Sequence, residues 1–123
     1  MANEITIAAS MRCSKGSFIL PVHGGTFQVT QSGTGGGTPG KVTATTGGVD
    51  VSFSGMTTPR WCYIKNLDSA NFIQIGPNSG GAFRPFLNLA AGKWIIIPLD
   101  DSVTLHLKAD TANCVAHVVA LEA

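Results

Sequence analysis

The sequence predicts an all-β fold, a jelly-roll-like antiparallel β-sandwich of about ten short strands, and three observations carry that prediction. The dominant hydrophobic period is two: Val103, Leu105 and Leu107 alternate with Thr104, His106 and Lys108, as a strand with one buried face requires. Clusters of Gly, Asp and Asn recur at close spacing. Such residues reverse a chain, because Gly adopts positive φ and Asp or Asn side chains bond their own backbone two residues on. Finally, no stretch of eleven or more residues shows a convincing 3.6-residue period. Many short strands with frequent turns belong to sandwiches, jelly rolls and small barrels.

Taken in order, residues 2–11 have weak helical character, but the β-branched Ile5, Thr6 and Ile7 favour a strand or an extended arm. Residues 2–12 are therefore a candidate N-terminal arm for a neighbouring subunit. After a turn signal at His23-Gly24-Gly25, Phe27, Val29 and Gln31 alternate with Thr26, Gln28 and Thr30 as a half-buried strand. Residues 33–40 read as a flexible Gly-rich loop, restrained by Pro39, and as the tract best suited to divide two lobes. Otherwise residues 1–123 form a single domain. Residues 41–46 are strand-like, and Gly47-Gly48 turns them into Val49, Val51 and Phe53. Cys62, Ile64 and Asn66 alternate with Trp61, Tyr63 and Lys65 before a loop at 67–71. Turns follow at 76–81, 90–92 and 100–102, and the apolar run 94–97 is strand-sized and ends at Pro98. His117 shares its alternation phase with Val115, Val119 and Leu121, the pattern of a core or interface histidine.

Composition bounds the function classes. A chain of 123 residues buries roughly two thirds of its unfolded surface and can fold without staples. Its charged fraction is 12%, about half the usual ~25%. The polar surface is thus built from Ser, Thr, Asn, Gln and Gly, which repel neighbours weakly. Net charge is +1, and the eight basic residues are spread singly along the chain, without the basic, aromatic-interleaved patch of a nucleic-acid binder. No nucleic-acid partner is expected. No segment approaches the ~20 apolar residues of a membrane span and residues 1–10 lack the pattern of a secretory signal, so no membrane partner is expected; three widely spaced cysteines argue against a secreted disulfide framework, so an intracellular folding compartment is expected.

Candidate chemistry is sparse. Gly35, four residues, Gly40 and Lys41 reproduce most of a phosphate-binding P-loop, but Val42 stands where Ser or Thr must place a hydroxyl on magnesium. The β-branched residues that follow make a strand where the motif needs a helix. Cys13, Cys62 and Cys114 are odd in number and widely spaced, and no C-x-x-C or H-x-x-x-H pair offers zinc spacing, so they read as buried, inert thiols. No G-x-S-x-G elbow is present, and Asp100-Asp101 are turn residues. The expectation is no enzyme, no cofactor and no metal. Trp61, Tyr63 and Phe72 flank the 67–71 loop, while Phe83, Phe86 and Trp94 bracket another. Most read as core, with Trp61 and Phe83 the first to be exposed.

From Arg60 onward, the runs RWCYIKNLDSANFIQIG, GGAFRPFLNLAAGKWIIIPL and VTLHLKADTANCVAHVVALE resemble the C-terminal part of small virion structural proteins of tailed bacteriophages. The resemblance spans residues 60–122. It implies a non-enzymatic capsid decoration or cement protein, with a head-to-tail or tail accessory protein as the alternative. The implied partners are the major capsid protein or another virion protein and further copies of the chain, with a trimer as first expectation. Its implied location is the virion, assembled in the host cytoplasm. Ile5, Ile7, Met11, Arg12, Trp61 and Phe83 are the candidate interface residues. A rival reading is a carbohydrate-binding sandwich that uses Trp61, Tyr63 or Trp94 as a stacking platform.

Overall fold

The computed structural model describes residues 4–31, 36–100 and 102–122. Among them lie eleven β-strands and no helix, and every strand pairing is antiparallel. The predicted all-β class is what the chain adopts. Two compact units divide it, the first built from two strands and the second from nine.

In the first unit, β1 (Ile5–Lys15) and β2 (Phe18–Val29) form a two-stranded ribbon in register from Lys15↔Phe18 to Ile5↔Val29. Gly16, with φ 59°, permits the two-residue reversal between them. At the open end the Gln31 amide donates to Glu4 Oε2 at 3.1 Å. These strands run for 11 and 12 residues, longer than the short strands expected. The turn read at His23-Gly24-Gly25 is absent: the register shift opposite Ala9/Ser10 makes it a β-bulge within β2. A side chain at Gly24 would meet the Ala9 carbonyl oxygen at 3.2 Å, and Gly25 takes φ 76°. The same glycines that reverse a free chain kink a paired one, and here a partner strand continues across them.

The second unit holds two sheets. One contains β3 (Gly36–Ala44), β5 (Pro59–Asn66), β9 (Trp94–Pro98) and β11 (Cys114–Glu122), in the order β3-β11-β5-β9. The other contains β4 (Val49–Asp50), β6 (Ile73–Ser79), β7 (Ala82–Phe83), β8 (Leu87–Leu89) and β10 (Thr104–Ala109), in the order β4-β10-β6-β7 with β8 also paired to β6. Apart from the β6-β7-β8 excursion, each strand is followed by one in the opposite sheet. This is the double-sheet connectivity of a jelly roll.

Gly36 to Gly40, expected in a flexible loop, are the first half of β3, while residues 33–35 of that tract lie outside the described residues. Ladder hydrogen bonds need no side chains, and β11 supplies the backbone partners, with Gly40 opposite Val118. Pro39 fits because β3 is an edge strand.

The core is aliphatic and lies between these two sheets. Cys62 and Ile64 from β5, with Cys114, Ala116, Val118 and Ala120 from β11, face Ile73, Ile75, Leu89, Leu105 and Leu107. The smaller residues Ala116 and Ala120, with Ile64 and Val118, thus oppose Ile and Leu side chains of the other sheet, which fills the space between two twisted layers. The expectation that most of the aromatics are core fails: among the described residues no Phe, Tyr or Trp is fully buried, and Phe53 packs against the cluster from its margin. Leu105 and Leu107 are buried as their alternation predicts, but Val103 is exposed, because its amide closes the Asp100 turn and β10 begins one residue later. Cys62 and Cys114 are buried, and burial pushes the Cys62 thiol up to about 12 and that of Cys114 upward. Cys13 departs from the expected burial and is exposed on β1 of the first unit.

Asn66, fully buried, ties three connections together. Its Nδ2 donates to the Asn71 carbonyl at 2.8 Å and the Leu89 carbonyl at 3.0 Å, and its Oδ1 accepts from the Asp68 amide at 2.9 Å. Its backbone bonds Lys93 and Gly92, so the 67–71 loop, the end of β8 and the 90–93 turn converge on one amide.

Candidate functional site

The β1–β2 ribbon exposes several large apolar side chains close together. Met11, Phe18, Ile19, Leu20 and Val22 each expose between 41% and 66% of their surface, and all lie in the half of the ribbon nearest the Gly16 turn. Arg12 and Lys15 in the same half are exposed too. A two-stranded ribbon is marginal in water on its own, and each of its strands keeps one edge of unpaired N–H and C=O groups among the described residues. Of the sequence-predicted interface residues, Met11 and Arg12 are exposed here, Ile7 is half-buried and Ile5 is buried. Of the arm foreseen for residues 2–12, residues 5–12 belong to β1 and residues 2 and 3 lie outside the described residues; the exposed apolar residues continue beyond it to Val22. Sequence reasoning missed Phe18, Ile19, Leu20 and Val22, although the run FILPV holds four large apolar residues in five.

Trp61 and Phe83 belong to the second unit. Both are half-buried, whereas Phe86 and Trp94 are the exposed aromatics among the described residues of the second unit. Trp61 lies on β5 opposite Leu121 and Pro98, on the outer face of the four-stranded sheet. There Tyr63 sits with its ring centroid 6.1 Å from Trp94 and 5.9 Å from His117, the latter edge-on. His117 is therefore an outward residue, since the core phase of β11 is Ala116, Val118 and Ala120.

Phe83 packs its ring 4.5 Å from that of His106. His106 Nδ1 meets Asp50 Oδ1 at 2.7 Å, and Asn78 Nδ2 donates to the same oxygen at 2.9 Å. The Asn78 bond first, then the His106 bond, holds the Asp50 carboxyl below its ordinary value. A histidine oriented by a carboxylate is half of a general-base arrangement. Here, however, Nε2 closes against Gly48, where an added Cβ would collide with it. The cluster works as a clamp that fastens β10 to β4 and β6.

An open apolar cavity of about 370 Å³ lies at one margin of the sandwich, lined by Phe86, Ile97, Leu99, Val103 and Leu105 with Asp100 among them. The Ser102 hydroxyl and amide both donate to Asp100 and hold its carboxyl below its usual range. Among the described residues no group of three or more His, Cys, Asp or Glu is placed to hold a metal ion, and no helix is long and apolar enough to cross a membrane. Lys41, the residue that drew the P-loop comparison, is exposed in β3, on a strand rather than at a helix N-terminus. Comparison with protein families, with curated proteins and with solved structures finds no match to this chain.

Proposed function

We propose that this chain is a non-enzymatic structural component of a tailed-phage particle, a capsid decoration or cement protein that works by adhesion. The observation that carries the reading is the β1–β2 ribbon, with two unpaired strand edges and five large apolar side chains in water. Such a ribbon is completed by a neighbour: added strand pairing satisfies the edges, and contact removes the apolar surface from water. Low surface charge removes the self-repulsion that would oppose close packing, and symmetric repetition lets modest contacts sum. The jelly-roll body agrees with this reading at the level of fold, since capsid domains use it, though lectins use it too. The neighbours would be the major capsid protein and further copies of the chain, a trimer first, with a head-to-tail or tail position as the alternative location.

Electron microscopy of the particle containing the chain tests this. Many ordered copies should appear, each with Phe18 to Val22 buried at a subunit contact. Particles in which every ribbon faces solvent would sink the proposal. Ile19→Asp with Leu20→Asp should abolish incorporation while the sandwich still folds, because neither residue belongs to its core.

A further inference from the structure

Two of the eight basic residues that stand singly in the sequence, Lys41 and Lys65, are brought by the fold onto one sheet face. Across β3, β11, β5 and β9, Lys41 stands opposite His117, His117 opposite Lys65, and Lys65 opposite Trp94. Directly paired residues share a face, and this row is on the outer one, because Val42, Ala116, Ile64 and Ile95 point into the core. The next outward row contains Val119, Tyr63 and Ile96, so two aromatic rings lie beside the cations. Lys93, the residue before Trp94 at the end of the sheet, is a further exposed cation, and Trp94 itself is 54% exposed. Glu122 is the sole carboxylate in these four strands, and it is buried in the core phase of β11. Among the described residues Lys41, Lys65 and Lys93 make no ion pair. The face therefore carries positive charge with nothing of its own to neutralise it.

We propose that this face binds single-stranded nucleic acid, with Lys41, Lys65 and Lys93 contacting phosphates and Trp94 and Tyr63 stacking unpaired bases. Cations beside stackable rings on an open sheet are the combination that single strands require, because an unpaired base offers its π-face while its phosphates need compensation. A duplex hides its bases and would have to be held by these few cations alone, which is weak at physiological salt. Lys41 and Lys65 are two strands apart, about 10 Å, far enough to meet different phosphates. The expectation of no nucleic-acid partner rested on the linear scatter of charge, which the register of three strand pairs removes. The inference uses only the sandwich and stands apart from the ribbon's role in assembly.

Fluorescence anisotropy with labelled oligothymidylate and oligouridylate of about twelve nucleotides, long enough to cross the sheet, tests it on the full chain. Binding is expected to weaken with salt at a logarithmic slope of about −2, the value for three released counterions on a single strand. Trp94→Ala should weaken binding about tenfold, as loss of one stacked base does. Lys41→Ala with Lys65→Ala should flatten the slope by more than one unit, with the circular dichroism spectrum unchanged. Three results would overturn the proposal: no binding to either oligonucleotide, equal binding to duplex or heparin with no effect of Trp94→Ala, or binding to a neutral glycan alone.

Discussion

Removing the Asn66 side chain should loosen three loops at once, and the structure sets the size of the effect. Asn66→Ala deletes two bonds donated to carbonyls and one accepted from an amide. The Leu89 carbonyl lies in a buried site, where an unsatisfied acceptor costs about 1–3 kcal/mol. The Asn71 carbonyl and Asp68 amide are part-buried and can recover water, so each loss is worth about 0.5–1.5 kcal/mol. Together these give about 4 kcal/mol, a drop in Tm on the order of 15 °C for a domain of this size. Urea unfolding followed by far-UV circular dichroism and tryptophan fluorescence measures it. Asn88→Ala, at an exposed position on the adjoining β8, serves as control and should stay within about 0.5 kcal/mol. Asn66→Asp should be worse than Ala at neutral pH, since a buried carboxylate would then face the two carbonyl oxygens. An Asn66→Ala loss below about 1 kcal/mol would show that the loops hold without this amide, and would refute the reasoning.

Two further outcomes follow from the titratable groups. Iodoacetamide at mildly alkaline pH should label Cys13 alone in the native protein and all three cysteines in denaturant, as read by mass spectrometry; native labelling of Cys62, whose thiol is pushed up to about 12, would contradict its burial. Because the folded-state pKa of Asp50 is depressed, its contribution to stability is present above the unfolded value near 3.8 and is lost as pH falls through the lower folded value. Asp50→Asn should therefore flatten the pH dependence of the unfolding midpoint in that acid range and leave its shape at neutral pH unaltered. An identical acid slope in both proteins would show that the clamp with His106 and Asn78 does not form.

Local pattern made much of the sandwich legible. Cys62, Ile64 and Asn66 point inward and Trp61, Tyr63 and Lys65 outward, as their period of two requires. Gly47-Gly48, residues 67–71 and 90–92 are connections as read, since each combines a short spacing with residues that accept turn geometry. The glycines at 24–25 and 36–40 misled, because glycine carries the same local signature in a turn, a bulge and a paired edge strand. Only the strand alongside distinguishes these. His117 was assigned the right phase with Val115, Val119 and Leu121, but alternation cannot say which of two faces is core when both are apolar. The small residues Ala116 and Ala120 take the inside because Ile and Leu from the other sheet already fill the space.

By itself, then, the amino-acid order determined the all-β class, most strand positions and the absence of any local catalytic or metal-binding motif. These depend on residues within a few positions of one another, where backbone preference and side-chain alternation act. The tertiary structure alone decided that residues 5–29 pair as a ribbon with Met11, Phe18, Ile19, Leu20 and Val22 in water, that Asn66 anchors three loops, and that Lys41, Lys65 and His117 meet on one face. Each is a consequence of register between strands distant in sequence, and register is set by which hydrophobic sets can be buried together rather than by any single segment.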